Sequence, residues 1–473
     1  MRKTKIVCTL GPATDDYAVL KNMIRAGLNV ARLNFSHGTY DDHRMRIDMV
    51  KRARKELDVP VAILLDTKGP EIRIKTFKNG KIALHEGNRF TLTTRDVEGD
   101  ESMVSVTYDE LPKYVKKGAR ILVNDGLIEL VVESINKTDI VTVVQNDGEL
   151  SNRKSINMPG TFIDMPYLSD VDRADIEFGL EQDVDYIAMS FVRTVDDVRQ
   201  IKKLLTEHDK NDVQIIAKIE NRSGVDNLDA ILAESDGVMV ARGDMGVEIP
   251  FEELPGIQKD MITRCYRQGK KVITATQMLE SMITNPRPTR AEISDVANAI
   301  YDGSSAIMLS GETAAGAYPV EAVRTMAKIA EFAESDINYK KRFRALEPSI
   351  KSITDAVSHS TCAASFDLDA KAIIAVSRSG YTARKISRFR PTAPIIAPTT
   401  SAKAYHQLAM NWGVIPVLSK VQENSDDLFR HVMQCAINTG VVQEGDLVII
   451  AAGVPVGVSG NTNTMRIEYV KKF

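Results

Sequence analysis

The sequence predicts an α/β protein made of a (β/α)8 barrel, a β-rich lid domain inserted in it, and an open α/β domain at the C-terminal end. Three observations carry this. Short apolar runs alternate with helical patterns three times before residue 70 and five times after residue 169, and eight such repeats in about 250 residues describe a closed barrel of parallel strands. Between residues 71 and 165 the apolar period drops to about two, over a length no loop reaches. A second, shorter α/β series then follows from about residue 349. The expected boundaries are 1–70 with 167–345 for the barrel, 71–166 for the β-barrel-like lid, and 346–473 for the last domain. A doubly wound open sheet competes with the barrel, but it rarely runs to eight uninterrupted units.

The first strand is read at 3–10, followed by Gly11-Pro12 and a helix at 15–26. A strand at 29–33 ends in Arg32, Asn34, Ser36 and His37. After a helix at 41–57, the strand at 61–65 ends in Asp66, Thr67, Lys68, Gly69 and Pro70. In the inserted stretch, alternation is clear at 120–132 and 140–144, with Asn79-Gly80 as a strong hairpin signal and Asp147-Gly148 as a further turn. The later barrel strands are read at 186–191, 213–219, 237–240, 271–275 and 305–309. Pro319 opens a helix at 320–334 in the first-turn position that proline favours. The last domain is read as helices at 353–364, 382–389, 402–410 and 426–439. Its strands, at 372–376, 394–397, 414–417, 446–451 and 465–470, make a mainly parallel sheet.

At 473 residues the chain is too long for one ordinary core. Its 61 Lys and Arg against 64 Asp and Glu leave a net charge of −3, which argues against nucleic acid or an anionic membrane as main partner. The four cysteines (Cys8, Cys265, Cys362, Cys435) form no C-x-x-C pair and read as buried thiols in a reducing compartment. The apolar runs fall short of the about 20 residues of a membrane helix, and residues 1–10 are a strand pattern, not a signal peptide. The expectation is a soluble cytoplasmic protein.

Buried parallel strands show their charge at one end, and in barrels the C-terminal end carries the chemistry. The strand ends here collect Arg32, Asn34, Ser36, Asp66, Thr67, Arg73, Lys218, Glu220, Arg242, Gly243, Asp244, Thr276, Gln277, Ser310 and Glu312. Six strands agreeing in this way is more than loop capping explains. Glu220 and Asp244 are hard oxygen donors suited to Mg2+ or Mn2+, which take one or two carboxylates and complete their shell with substrate and water. Asn34, Ser36, Asp66 and Thr67 form an oxygen-only group of single charge, suited to a monovalent cation. Arg32, Arg73 and Lys218 are cations of the kind that stabilise a transferring phosphoryl group, and backbone N–H groups at Gly243-Asp244 could hold a carboxylate or phosphate. No G-x-x-x-x-G-K-[ST] loop is present, so a P-loop kinase is excluded.

These residues lie in LNFSHG (33–38), LLDTKGPEIR (64–73), AKIEN (217–221), MVARGDMGVEIP (239–250), TATQMLESM (274–282), NPRPTRAE (285–292) and MLSGETAAGAYP (308–319). In these motifs, and in their order along nearly the whole chain, the sequence resembles the pyruvate kinases, of the bacterial type without a eukaryotic N-terminal extension or an extra C-terminal domain. The resemblance implies transfer of the phosphoryl group of phosphoenolpyruvate to ADP, giving pyruvate and ATP, in a homotetramer. It implies a divalent ion on Glu220 and Asp244, and K+ on Asn34, Ser36, Asp66 and the Thr67 carbonyl, with Glu71 marking the K+-requiring version. Lys218 would stabilise the phosphoryl group in flight, Arg32 and Arg73 would contact phosphates, and Lys154 would contact the nucleotide. Gly243, Asp244 and Thr276 would hold the substrate carboxylate, Thr276 lying near the carbon that is protonated, and the inserted domain would close as a lid that excludes water.

In the last domain, Ser377, Ser379, Gly380 and Thr382 lie between a strand and a helix, where hydroxyls and free N–H groups can hold a phosphate. The resemblance implies a phosphorylated activator there, with the glycine-rich 453–464 as a flap over it. His37, His43 and His85 lack metal-ligand spacing, Trp412 is read as packing, and Arg342–Arg344 as a solvated linker. Two rival functions use parts of the same pattern. A barrel lyase stabilising a metal-bound enolate needs the carboxylates but not a long lid, and a metabolite-sensing module needs only the last domain.

Overall fold

The computed structural model describes residues 1–345, 350–456 and 460–471; the expected boundary at 345/346 and part of the 453–464 flap lie outside them. Eight strands close the barrel: β1 (Lys5–Thr9), β2 (Val30–Asn34), β3 (Ala62–Asp66), β4 (Tyr186–Met189), β5 (Gln214–Ile219), β6 (Gly237–Ala241), β7 (Lys271–Ala275) and β8 (Ala306–Leu309). They follow one another in sequence order, β8 pairs with β1, and all pairs are parallel. The predicted barrel is therefore the observed one.

Alternation along each strand explains both its apolar run and its polar end. Ile6 and Cys8 pack outward on the helices, whereas Val7 packs inward. The inward set also holds Val30, Ala62, Leu64, Tyr186, Ala188 and Ile216. Two residues beyond each inward position stands the next one on that face, so Arg32, Asp66, Ser190 and Lys218 all continue the inward rows at the C-terminal mouth. The apolar core and the polar site are thus one periodic pattern.

Several expected bounds shift. The first helix is Tyr17–Ala26, capped by Asp16, and Pro12–Thr14 forms a separate 3-10 turn. β4 stops at Met189, since Phe191 takes a left-handed φ of 54°. Asn79-Gly80 makes a turn with Gly80 at φ 78°, but no hairpin. The following strand, Lys81–Leu84, pairs with Gly148–Ser151 far along the chain. A turn residue sets local direction, and long-range burial chose the partner.

The inserted segment holds a seven-stranded sheet and this two-stranded one, around a core of its own that includes Phe90, Ile121 and Leu130. Arg193 donates Nη1 to the Ile163 carbonyl (2.7 Å) and Nη2 to the Met165 carbonyl (2.9 Å), tying its return to the barrel. The last domain is a five-stranded sheet, parallel except for the edge strand Thr464–Tyr469. Its residues Ala409 and Met410 join the inward barrel core and close the barrel's base. Tyr186 Oη donates to the Gln407 carbonyl (2.5 Å) and Lys5 Nζ to the Val414 carbonyl (2.7 Å) across that joint. Arg342 is no mere linker residue: it donates Nη2 to the Tyr301 carbonyl (2.6 Å). His43 is buried and stacks on Phe35, and Trp412 packs on Tyr339.

Candidate active site

Lys218, at the mouth end of β5, is the centre of the polar cluster. Its Nζ lies 3.1 Å from Asp66 Oδ1, 2.6 Å from Ser190 Oγ and 3.0 Å from Glu220 Oε1. Burial works against its charge, yet Asp66 and Glu220 outweigh that and raise its pKa. Asp66 is wholly buried and also accepts from Arg32 Nε at 2.6 Å, while Arg32 Nη1 donates to Thr9 Oγ1 at 2.8 Å. Burial alone would raise the Asp66 pKa, but the two cations hold it below the usual carboxylate range.

Glu220 is the strained member. It is wholly buried, and its Oε2 accepts the Phe191 N–H at 2.5 Å. Oε1 is close to Lys218 but off the direction of a hydrogen bond, and no other donor reaches it. Burial pushes the carboxyl up to about 7 against the pull of Lys218, and Asp244 adds to the rise. Two carboxylates beside one ammonium, with an oxygen that ammonium does not serve with a directed hydrogen bond, leave room for further positive charge. Among the described residues no three His, Cys, Asp or Glu side chains are grouped to hold a metal; Glu220 and Asp244 are two carboxylates close enough for the charge of one to act on the other.

Asn34 pairs with Asp66 across β2 and β3. Its Oδ1 accepts the Ser36 N–H at 3.2 Å, and the Thr67 carbonyl accepts from Ser190 Oγ at 2.6 Å. Each of these oxygens keeps a further lone pair, so the set fits a monovalent ion, with the Asp66 charge already shared by Arg32 and Lys218.

On the opposite side, Gly243 and Asp244 open the short helix Arg242–Glu248 after β6. The Gly243 N–H is not free: it donates to Thr276 Oγ1 at 2.8 Å. Thr276 and Gln277 hold left-handed φ values of 69° and 52°, unusual for a β-branched residue and a mark of a strained functional turn. Arg242 sustains that turn, donating Nε to the Ala275 carbonyl (3.2 Å), Nη2 to the Thr276 carbonyl (2.5 Å) and Nη1 to Asp295 (2.8 Å). It positions the loop rather than facing the mouth. Glu312 likewise serves the backbone, accepting the Leu279 and Ser310 N–H groups at 3.0 and 2.7 Å. The expectation that these two add charge to the mouth is corrected accordingly.

Arg73 reaches out where the inserted segment leaves, pairing with Glu71 at 2.8 Å and donating Nη1 to the Arg153 carbonyl at 2.8 Å. Lys154 follows on the strand-to-strand ladder beside it, its carbonyl accepting the Ile74 N–H at 2.9 Å. Asn157 Nδ2 donates to Glu248 Oε1 at 2.9 Å, joining the inserted segment to the barrel. In the last domain, Ser377 Oγ accepts the Thr382 N–H at 3.3 Å, and Thr382 Oγ1 bonds Thr462 Oγ1 at 2.7 Å. The Ser379 carbonyl accepts from Arg384 Nη1 at 2.8 Å.

One site residue escaped the sequence reading. Ser190 Oγ joins Lys218, Asp66 (3.2 Å) and the Thr67 carbonyl. Its signal is the parity of Tyr186, Ala188 and Ser190, which a strand running through Phe191 hides.

A family model described as pyruvate kinase, barrel domain, matches residues 1–323, and one described as pyruvate kinase, alpha/beta domain, matches residues 355–468. A curated pyruvate kinase of Clostridium acetobutylicum is 48% identical over 473 residues, covering 100% of both chains. Those of Bacillus licheniformis and Staphylococcus saprophyticus are 50% and 51% identical, each covering 99% of this chain and 81% of its own length. With both models matched, and relatives of this identity along its whole length, the chain belongs to the pyruvate kinase family of phosphotransferases.

Proposed function

We propose that the chain transfers the phosphoryl group of phosphoenolpyruvate to ADP, using Mg2+ (or Mn2+) and K+, as a cytoplasmic homotetramer activated by a phosphorylated metabolite. The observation that carries the reaction is Lys218 held among Asp66, Ser190 and Glu220 at the barrel mouth. A buried ammonium whose charge is secured by its neighbours stabilises the negative charge of the phosphoryl group as that group passes from the enol oxygen to the β-phosphate of ADP. The phosphorus–oxygen bond to the enol breaks, the bond to ADP forms, and the enolate takes a proton at its methylene carbon to become pyruvate. Arg32 would bind the transferring phosphate, and Arg73 and Lys154 the nucleotide.

The substrate carboxylate would lie against Gly243, Asp244 and Thr276, taking the Gly243 N–H from Thr276 Oγ1; the Thr276 hydroxyl, which donates to the Ala275 carbonyl at 2.7 Å, would have to turn from it to face the carbon that is protonated. Glu220 and Asp244 would hold the divalent ion, and Asn34, Ser36, Asp66 and Thr67 would hold K+. When bound, the ions supply positive charge against the phosphoryl and carboxylate oxygens. The unserved Glu220 oxygen supports the first of these sites, and the oxygen-only set around Asn34 the second. Ser377, Ser379 and Thr382 would bind the activator's phosphate, with Thr462 carrying the flap's contact to Thr382. Four free, buried cysteines suit a reducing compartment.

One assay tests the reading: ADP-dependent release of pyruvate from phosphoenolpyruvate, with Mg2+ saturating, in K+ and in a bulky organic cation. Turnover is expected in K+ and lost in the organic cation. Pyruvate release without ADP would point to a lyase, and equal rates in both salts would remove the monovalent site.

A further inference from the structure

Cations also gather at the other end of the barrel, in a narrow cavity under the C-terminal domain. Lys270 and Lys271 reach it from the start of β7, and Arg384, Arg388 and Arg390 from the helix Tyr381–Ser387 and the turn after it. Among the described residues no carboxylate lines this cavity. The acids nearby are engaged elsewhere. Asp236 accepts the Ile215 N–H at 2.9 Å and Glu334 accepts the Lys3 and Thr4 N–H groups at 2.7 and 2.6 Å. Asp355 pairs with Lys385 and Arg388 at 3.0 and 3.1 Å and so balances Arg388, leaving Lys270, Lys271, Arg384 and Arg390 without a carboxylate in the cavity.

The donors that line the cavity are not all served. Arg390 is 5% exposed and donates Nη2 to the Gly303 carbonyl (2.9 Å) and Ser305 Oγ (3.1 Å), but its Nε and Nη1 have no acceptor. Tyr266 Oη has no partner either. Lys271, also 5% exposed, donates Nζ to Gln214 Oε1 at 2.6 Å, one acceptor for a group that has three protons to give when charged. Burial, reinforced by Arg384, draws its pKa down to about 7. Like charges drawn together out of water repel, and a counter-anion relieves both the repulsion and the unserved donors. The cavity is small, about 20 Å3, which excludes a nucleoside.

We infer that this cavity binds a tetrahedral oxyanion of the phosphate class, held by Lys271, Arg384, Arg390 and Tyr266 Oη, and that the bound anion fastens the C-terminal domain to the barrel base. Arg384 links it to the effector loop, since the same guanidinium holds the Ser379 carbonyl.

The test uses the full chain with Ser377, Ser379 and Thr382 all changed to alanine, so that the effector loop cannot supply the signal. Inorganic phosphate, a sugar monophosphate and potassium chloride are compared at equal ionic strength by thermal melting. Phosphate should raise the apparent midpoint saturably by about 2–4 °C beyond chloride. Adding Lys271→Met should remove that component. Adding Tyr266→Phe, which keeps the ring and deletes one donor, should raise the half-saturating phosphate about tenfold and decides the matter if the lysine variant does not fold. A sugar monophosphate acting through Lys271 as well would identify the ligand as a metabolite's phosphoryl group, and phosphate acting alone would identify the free ion. A phosphate effect no larger than that of chloride, or unchanged by both substitutions, overturns the inference.

Discussion

Lys218 and Glu220 stand two residues apart on one strand end, and their environments push both groups toward holding a proton. For Lys218, burial is outweighed by Asp66 and Glu220, so its charge persists through the working pH range. Lys218→Met should therefore lower turnover by about 10²–10³ with little change in phosphoenolpyruvate binding; a variant keeping most of its turnover would dismiss the assigned role. For Glu220 the raised value of about 7 means the carboxyl is protonated below that pH and must lose its proton to ligate a cation. Apparent Mn2+ affinity, followed by electron paramagnetic resonance without substrates, should weaken by up to about tenfold per pH unit below 7 and level off above it. A flat profile would take Glu220 out of the metal site. Lys218, Glu220, Asp66 and Arg32 were legible in the sequence because a charge ending an apolar run is conspicuous. Ser190 was not, since a serine there looks like any loop residue until strand parity is known.

Among the elements, β6 and β7 show how tightly the barrel is drawn together. A Cβ on Gly237 would come within 2.6 Å of the Lys271 carbonyl oxygen and 2.8 Å of its Cβ. Gly237→Ala should thus part the two strands and cost about 1–3 kcal/mol in urea unfolding. Because β6 leads to Asp244 and β7 to Thr276, the half-saturating phosphoenolpyruvate concentration should rise as well. Unaltered stability would mean that the strands yield without strain. Helix starts were legible where capping chemistry is local, as with Pro319 at the first turn of Pro319–Asp336. The Asn79-Gly80 turn was legible, but its strand pairing was not. Pairing depends on residues 148–151, whose approach no local pattern records.

At the scale of the whole molecule, the C-terminal domain supplies the floor of the barrel through Ala409 and Met410. The helix that begins beside Ser377 and Ser379 ends against the same joint, where Ser387 Oγ donates to the Trp412 carbonyl at 2.6 Å. A phosphate held by Ser377, Ser379 and Thr382 would act on a rigid element that touches the barrel base, a route by which one site can bias another. A sugar phosphate or nucleoside monophosphate should lower the half-saturating phosphoenolpyruvate concentration. Changing the three residues together to alanine should erase that shift at unchanged maximal turnover. Saturation curves insensitive to every phosphorylated metabolite, or a triple variant that still responds, would leave the loop an ordinary capped turn.

The sequence by itself determined the barrel, the open α/β layer, the family and the strand ends that carry the charge, because each is written in local periodicity or in contiguous motifs. Only the tertiary structure decided which of those charges face one another. Arg242 and Glu312 turned to backbone groups of neighbouring loops, Ser190 joined Lys218 and Asp66, and Lys271 met Arg384 and Arg390 across a domain joint. The reason is physical. A residue's neighbours along the chain set its secondary structure. Its charge, proton affinity and hydrogen bonds are set instead by groups tens to hundreds of residues away, brought close when the barrel shuts.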